Sequence, residues 1–551
     1  MKFDEFLFSH LGEMGKYQKI QFVLVCLPCI FCAMHSLSWT FTAVGVTHRC
    51  AVENETKYSP YWAEAALEHI NITSSCVDDK WNPVDPSDPS ARCLYESCTY
   101  SNNQSCSSYV FDNSRVRQSA MGRWDIVCDR AWIKAFIQSA YYIGQMAGSM
   151  TFGILGDRIG RKKCFFVAIA LQILCGFVQS VAPTWWLYAL VRAGTGFSHP
   201  GASVISVVIG TELMGPKYRK LASICTALCM ALGQCILGTV AMFLTDYQWL
   251  HVALTAPSLL FISYWWLIHE STRWLVSIRR FDKADHILQK AAKTNGVTLP
   301  DQWWNLLDGE EKTEKNEGKE EKSPTNNASC LDLLRTPVLR RRSLVVFYLW
   351  PVVSMVYYGL SMKSDILGGD LYINFIIGGL IEMPALLLVY LLLDRVGRRP
   401  IIVGGYMLTG VCLLSNLLIS ETAPRWIAIL QLLASRGAIS ATYTGIYAFT
   451  PELFPTTVRN TGMGLCSTIA RVGAISASYI CFWIADRYGK AWMIIPFGGM
   501  SILAALLILI FLPETMGKPL PSTVEEIEGS TSDKRESELN SLTETPSPDD
   551  D

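Results

Sequence analysis

Apolar residues in this chain come in long blocks, not in the short alternating patches of a soluble domain. Twelve blocks lie near 20–42, 133–155, 164–183, 186–210, 221–244, 250–269, 343–362, 371–393, 399–419, 425–450, 461–486 and 491–512. Each approaches or exceeds the roughly 20 residues needed to cross a hydrocarbon core. No water is present there to pair with peptide groups, so segments of this length fold as helices. The expected fold is an all-α membrane protein with twelve transmembrane helices, here called spans one to twelve. The chain then divides into an N-terminal segment with span one (1–42), a polar loop (43–132), spans two to six (133–269), a second polar loop (270–342), spans seven to twelve (343–512) and an acidic tail (513–551).

Composition sharpens this picture. Half of the 551 residues are hydrophobic and only 17% are charged, against about a quarter charged in soluble domains. A net charge of −1 excludes a general nucleic-acid binder, which needs a basic excess to displace counterions. The bilayer is the expected environment. Short basic loops follow span two (Arg158, Arg161, Lys162, Lys163), span four (Lys217, Arg219, Lys220) and span eight (Arg395, Arg398, Arg399). Basic loops stay in the cytosol, which puts both termini there and loop 43–132 outside a plasma membrane.

That outer loop holds Cys50, Cys76, Cys93, Cys98, Cys106 and Cys128, an even set suited to about three disulfides in an oxidising compartment, with 15 pairings open. Its sequons predict glycans on Asn54, Asn71 and Asn103. A further sequon at Asn327 falls in the inner loop, on the wrong side for glycosylation.

The two halves repeat their charges. Gly156-Asp157-Arg158-Ile159-Gly160-Arg161-Lys162 follows span two, and Asp394-Arg395-Val396-Gly397-Arg398-Arg399 follows span eight, the two aspartates 237 positions apart. Glu212 and Arg219 recur as Glu452 and Arg459 at an offset of 240; Arg192 and Glu270 recur as Arg436 and Glu514 at 244. This is the pattern of a duplicated six-helix unit. The basic members obey the positive-inside rule, but the repeated acids need another reason. Ion pairs formed across the interface between halves would hold one conformation shut, so the set is expected to gate.

These motifs, with Pro451-Glu452-Leu453-Phe454-Pro455, Leu512-Pro513-Glu514-Thr515 and the Cys-rich loop, resemble the organic ion transporter family of the major facilitator superfamily, which includes organic cation, organic anion and carnitine carriers. The resemblance runs from about Phe3 to Gly517. It implies two six-helix pseudo-repeats, alternating access, small organic ions as cargo, and a co-transported or exchanged ion as a further partner. No phosphate loop, Gly-x-Ser-x-Gly elbow or His-Glu-x-x-His motif is present. Neither an enzyme activity nor a metal or cofactor is expected. Cys26, Cys29 and Cys32 are expected to pack between helices.

Ionisable and polar residues inside spans are the first substrate-site candidates: His35, Ser36, Gln234, Tyr357, Tyr358, Glu382, Tyr443, Tyr447 and Arg471. Tyrosine faces attract an ammonium group and tolerate many shapes. The resemblance aligns Tyr357, Tyr358, Tyr443 and Tyr447 with cavity aromatics. It implies Arg at position 471 in anion and carnitine carriers, where typical cation carriers have Asp. Glu382 resembles cation and carnitine carriers, while Leu386 and Met230 depart from the anion pattern. One cavity group of each sign suits a carnitine-like zwitterion or an organic cation. Two alternatives are an organic anion exchanger, and a site in which Glu382 and Arg471 neutralise each other.

Overall fold

A computed structural model describes residues 3–51, 56–59, 74–77, 92–95, 98, 105–215, 218–300, 302–306, 333–364, 370–419, 424–517 and 521. Asn54, Asn71 and Asn103, the centre of the inner loop and nearly all of the acidic tail lie outside these residues. Among the described residues, eight helices are long and apolar enough to cross a membrane: Lys16–Thr42, Arg161–Val181, Leu221–Phe243, Tyr247–Leu267, Pro337–Met362, Leu371–Leu392, Thr461–Tyr488 and Ala491–Phe511. Four more complete the twelve spans: Trp132–Ile159, Trp185–Leu213, Arg398–Asn416 and Arg425–Leu453. These four carry Asp157, Arg192, Glu212, Arg398, Arg436 and Glu452, together with uncharged polar residues such as Gln138, Gln145, Ser198 and His199, and this polar content lowers their mean hydropathy.

Each half packs internally, and the halves meet along two seams, span two on span eleven and span five on span eight. Within the first half, spans two and four touch backbone to backbone. A Cβ on Gly144 would lie 2.0 Å from the carbonyl oxygen of Ala193, so only glycine permits the approach. Span one is interrupted at Leu27, before Pro28, and again at Ser38. Span eleven contains a π-helical turn at Ile480–Ile484, a feature frequent near functional sites.

One end of the bundle carries the repeated charge motifs, and the other carries the Cys-rich loop. In that loop His48–Cys50 pairs antiparallel with Tyr109–Asp112, which also takes Tyr58–Ser59 in parallel. Disulfides join Cys50 to Cys106 and Cys98 to Cys128. A second ladder sets position 76 opposite position 93. At the motif end, the helices Phe3–Leu11 and Phe281–Asn295 share a small apolar core of Phe6, Leu7, Leu288 and Trp303.

Candidate functional site

Between the halves lies a cavity of about 200 Å³. Span one contributes Ser36, span two Gln145, span four His199 and Ser203, and span five Met230 and Gln234. The second half contributes Tyr357 and Tyr358, Glu382, Tyr443, Tyr447 and Arg471. Eight of the nine expected substrate residues thus come together. His35 does not. Successive helical residues point about 100° apart, and Ser36 takes the cavity face while His35 packs towards Gly176 of span three.

The aromatic wall is continuous. Tyr357 and Tyr443 stack with ring centroids 5.4 Å apart and planes 6° from parallel. Tyr358 stands edge-on to Tyr357, and Tyr447 edge-on to Tyr443. Such pairs hold their rings in fixed orientation.

The charges are arranged less simply than one acid facing one base. Glu382 Oε1 accepts a hydrogen bond from the Tyr357 hydroxyl at 2.9 Å. Its Oε2 lies 3.5 Å from Arg436 Nη2 yet accepts no hydrogen bond among the described residues. Arg436 is also held by the side-chain oxygens of Gln234, at 2.6 Å, and of Ser361. Arg471 is 93% buried by the complement of its 7% exposure, and its Nε and Nη1 find no acceptor among the described residues. The cavity lining therefore holds one positive group, Arg471, and one negative group, Glu382, with Arg436 buried behind the acid as a second base. Among the described residues, one oxygen of Glu382, Nε and Nη1 of Arg471 and Nε of Arg436 have no hydrogen-bond partner.

The family model for sugar (and other) transporters matches residues 91–527. An organic cation transporter protein of Drosophila melanogaster is 37% identical over 534 residues, covering 96% of this chain and 94% of its own length. Solute carrier family 22 member 3 of Mus musculus is 31% identical, covering 94% of each chain. The organic cation/carnitine transporter 2 of Homo sapiens is 30% identical, covering 94% of this chain and 93% of its own. The chain belongs to the organic ion transporter family of the major facilitator superfamily. Among solved structures, the xylose transporter XylE from E. coli in a partially occluded inward-open conformation gives a TM-score of 0.59 at 16% identity, over 92% of this chain and 100% of that one. That likeness shows the fold.

The transporter's repeated motifs form two matching latches at one end of the bundle. Arg161 pairs with Asp157 at 2.9 Å and with Glu212 at 3.4 Å. Arg398 pairs with Asp394 at 3.2 Å and with Glu452 at 3.3 Å. Glu270 accepts from the backbone N–H of Lys162, and Glu514 from those of Arg398 and Arg399. Arg459 donates to the carbonyl oxygens of Pro451 and Phe454. Burial raises the Glu514 pKa, but donors from Met516, Arg398, Arg399 and Thr515 outweigh it and hold the carboxyl below its usual range.

In this conformation the motif charges pair within the halves and not between them. Every pair named above lies within one half. At this end a cavity of about 520 Å³, lined by Ser149, Gly153 and Asp157 on one side and Thr461, Gly464 and Thr468 on the other, keeps spans two and eleven apart. Arg192 and Arg436, expected in the gating set, take no part in the latches. Arg192 is fully buried and binds Ser38 Oγ at 2.8 Å, Gln138 Oε1 at 3.1 Å and the Ser36 carbonyl at 3.2 Å. Arg436 is buried behind the cavity wall, where it is held by Gln234, Ser361 and Glu382. Arg158 and Arg395 are exposed, and the Arg219 side chain lies outside the described residues.

Sequence reasoning missed His199, which lines the cavity and shares a 2.9 Å hydrogen bond with the Tyr141 hydroxyl. An ionisable residue inside span four, directly before Pro200, was the available signal.

Proposed function

We propose that this transporter is a plasma-membrane carrier of organic ions working by alternating access, and that its best cargo is a carnitine-like zwitterion. The observation that carries this reading is the unused hydrogen-bonding capacity of opposite sign in one cavity. Arg471 offers two donors suited to a carboxylate, Glu382 offers one acceptor, and the tyrosine faces suit a quaternary ammonium. A bare cation would meet the net positive charge of Arg436, Arg471 and Glu382 together. A relative named as an organic cation/carnitine transporter supports the same cargo class.

In this reading the motif end faces the cytosol with both termini, and the Cys-rich loop faces outside, with glycans on Asn54, Asn71 and Asn103. The intra-half latches brace each half as a rigid body, so that the halves rock without bending. An exchanged or co-transported ion completes the cycle.

The test is uptake of a labelled zwitterion, cation and dicarboxylate by cells expressing the parent, Arg471→Ala or Glu382→Gln. Zwitterion preference lost in both variants supports the proposal; cation uptake indifferent to Arg471→Ala overturns it. A second reading, organic anion exchange, is favoured by Arg436 standing beside Glu382 and offsetting its charge. It predicts dicarboxylate uptake that depends on Arg471 and not on Glu382.

A further inference from the structure

At the loop end of the bundle, the two halves are joined by charge. Lys134 opens span two, Asp486 closes span eleven and Lys363 follows span seven. Lys134 Nζ lies 3.7 Å from Asp486 Oδ2, across the seam between halves. Lys363 pairs with Asp486 Oδ1 from within the second half. The Lys134 side chain is only 6% exposed, against 39% for Asp486, and its ammonium sits 4.9 Å from the Phe482 ring centroid. Two turns further along span two, Tyr142 meets Tyr358 across the same seam, ring centroids 5.0 Å apart. The same two spans that touch here are parted at the motif end.

We propose that Lys134 and Asp486 form the outer gate of the carrier, a latch that shuts the cavity from outside in this conformation and must break for the cavity to open outward. This rests on alternating access and on the loop end facing outside.

The roles of the two partners are unequal, which gives the proposal its sign. Lys134 is buried in the closed seam, where an ammonium is costly without a counter-charge. Asp486 supplies that counter-charge while remaining partly wet and paired to Lys363. Neutralising the acid takes the carboxylate away from this buried ammonium, and the hydration it gains when the seam parts then favours the outward-open state. Neutralising the lysine with an apolar side chain removes the need for a counter-charge and leaves the seam shut. The two single substitutions act in opposite directions, which general damage to packing would not produce.

The experiment places the reporter Tyr142→Cys below the latch and measures its labelling by a membrane-impermeant maleimide on intact cells, with the parent lacking the reporter as the control for native cysteines. Asp486→Asn is expected to speed labelling about 5-fold or more, Lys134→Met to slow it, and the double variant to return towards the reporter-only rate, the non-additivity of coupled partners. Unchanged or slower labelling in Asp486→Asn overturns the proposal, as does faster labelling in Lys134→Met. Should Asp486→Asn fail to reach the surface, Lys134→Met decides alone: slower labelling supports the latch, and equal or faster labelling overturns it. Labelling that responds in inside-out vesicles and not in intact cells supports the latch but overturns the orientation.

Discussion

Arg436 Nη2 stands 3.5 Å from Glu382 Oε2, so the acid of the cavity is shared between a neighbouring base and whatever enters. Arg436→Gln would remove the base adjacent to Glu382 and leave Arg471 as the one base in the cavity lining. The ratio of cation to zwitterion uptake is expected to rise about 10-fold, equivalent to ~1.4 kcal/mol. Competition uptake in cells measures it, with surface abundance as the normaliser. An unchanged ratio would show that Arg436 does not set the charge of the site.

The stacked tyrosines offer a graded test. Tyr443→Phe keeps the ring against Tyr357 and should leave the zwitterion KM within about 2-fold. Tyr443→Leu removes one cation-attracting face, a loss of about 1–2 kcal/mol in a dry site, so KM should rise about 5- to 30-fold. Equal effects from the two substitutions would assign Tyr443 to packing.

Gly160 and Gly397 adopt φ of +105° and +106° at matching points of the two latches. A Cβ would lie 2.4 Å from Glu270 Oε2 at the first and 2.7 Å from Glu514 Oε2 at the second. Alanine at either position therefore meets both a disfavoured backbone and a carboxylate, at a cost of about 1–3 kcal/mol. Thermal unfolding in detergent should show a lowered Tm for each variant, of similar size in both halves.

His269 sits just beyond span six, where its Nε2 lies 3.0 Å from Lys290 Nζ. Burial, then the charges of Lys290, Lys162 and His286, push its pKa down to about 4 from the ordinary 6.5. Between those values the unfolded chain binds more protons than the folded one, so stability falls as pH drops through this window. His269→Gln keeps an acceptor for Lys290 and removes the titration. The decline of Tm from about pH 6.5 to about pH 4 should be shallower in the variant; an unchanged slope would assign the decline to other groups.

The spans and the duplication were legible because both rest on one-dimensional signals, block length and repeated charge. That eight of the nine candidate residues would share one cavity was legible for a similar reason: polar groups inside apolar blocks have few places to go but inward. Depth and facing were not legible. His35 and Ser36 are neighbours in sequence, and only packing shows which one reaches the cavity. Arg436 shared its offset with Arg192, which identified the repeat but concealed that one base neutralises Glu382 while the other ties Ser36 and Gln138 together. The direction of ion pairing also depends on the conformation. In this one the motif ends are parted, so their charges pair within halves.

The uneven hydropathy of the spans bears on how the molecule is made. Two, four, nine and ten carry the charges that brace and line the transporter, and they fall outside the eight helices apolar enough to cross a bilayer alone. Arg192 and Arg436 lie inside spans four and ten, where a charge opposes partitioning from the translocon into lipid by up to roughly 2.5–3.5 kcal/mol, while spans two and nine are weakened by polar residues and by charges at their ends. During synthesis these four should wait beside the translocon until an adjoining apolar helix draws them in. Biogenesis would then proceed in helical hairpins, and substitutions that strengthen transport by adding charge to these four would first be felt as lost insertion.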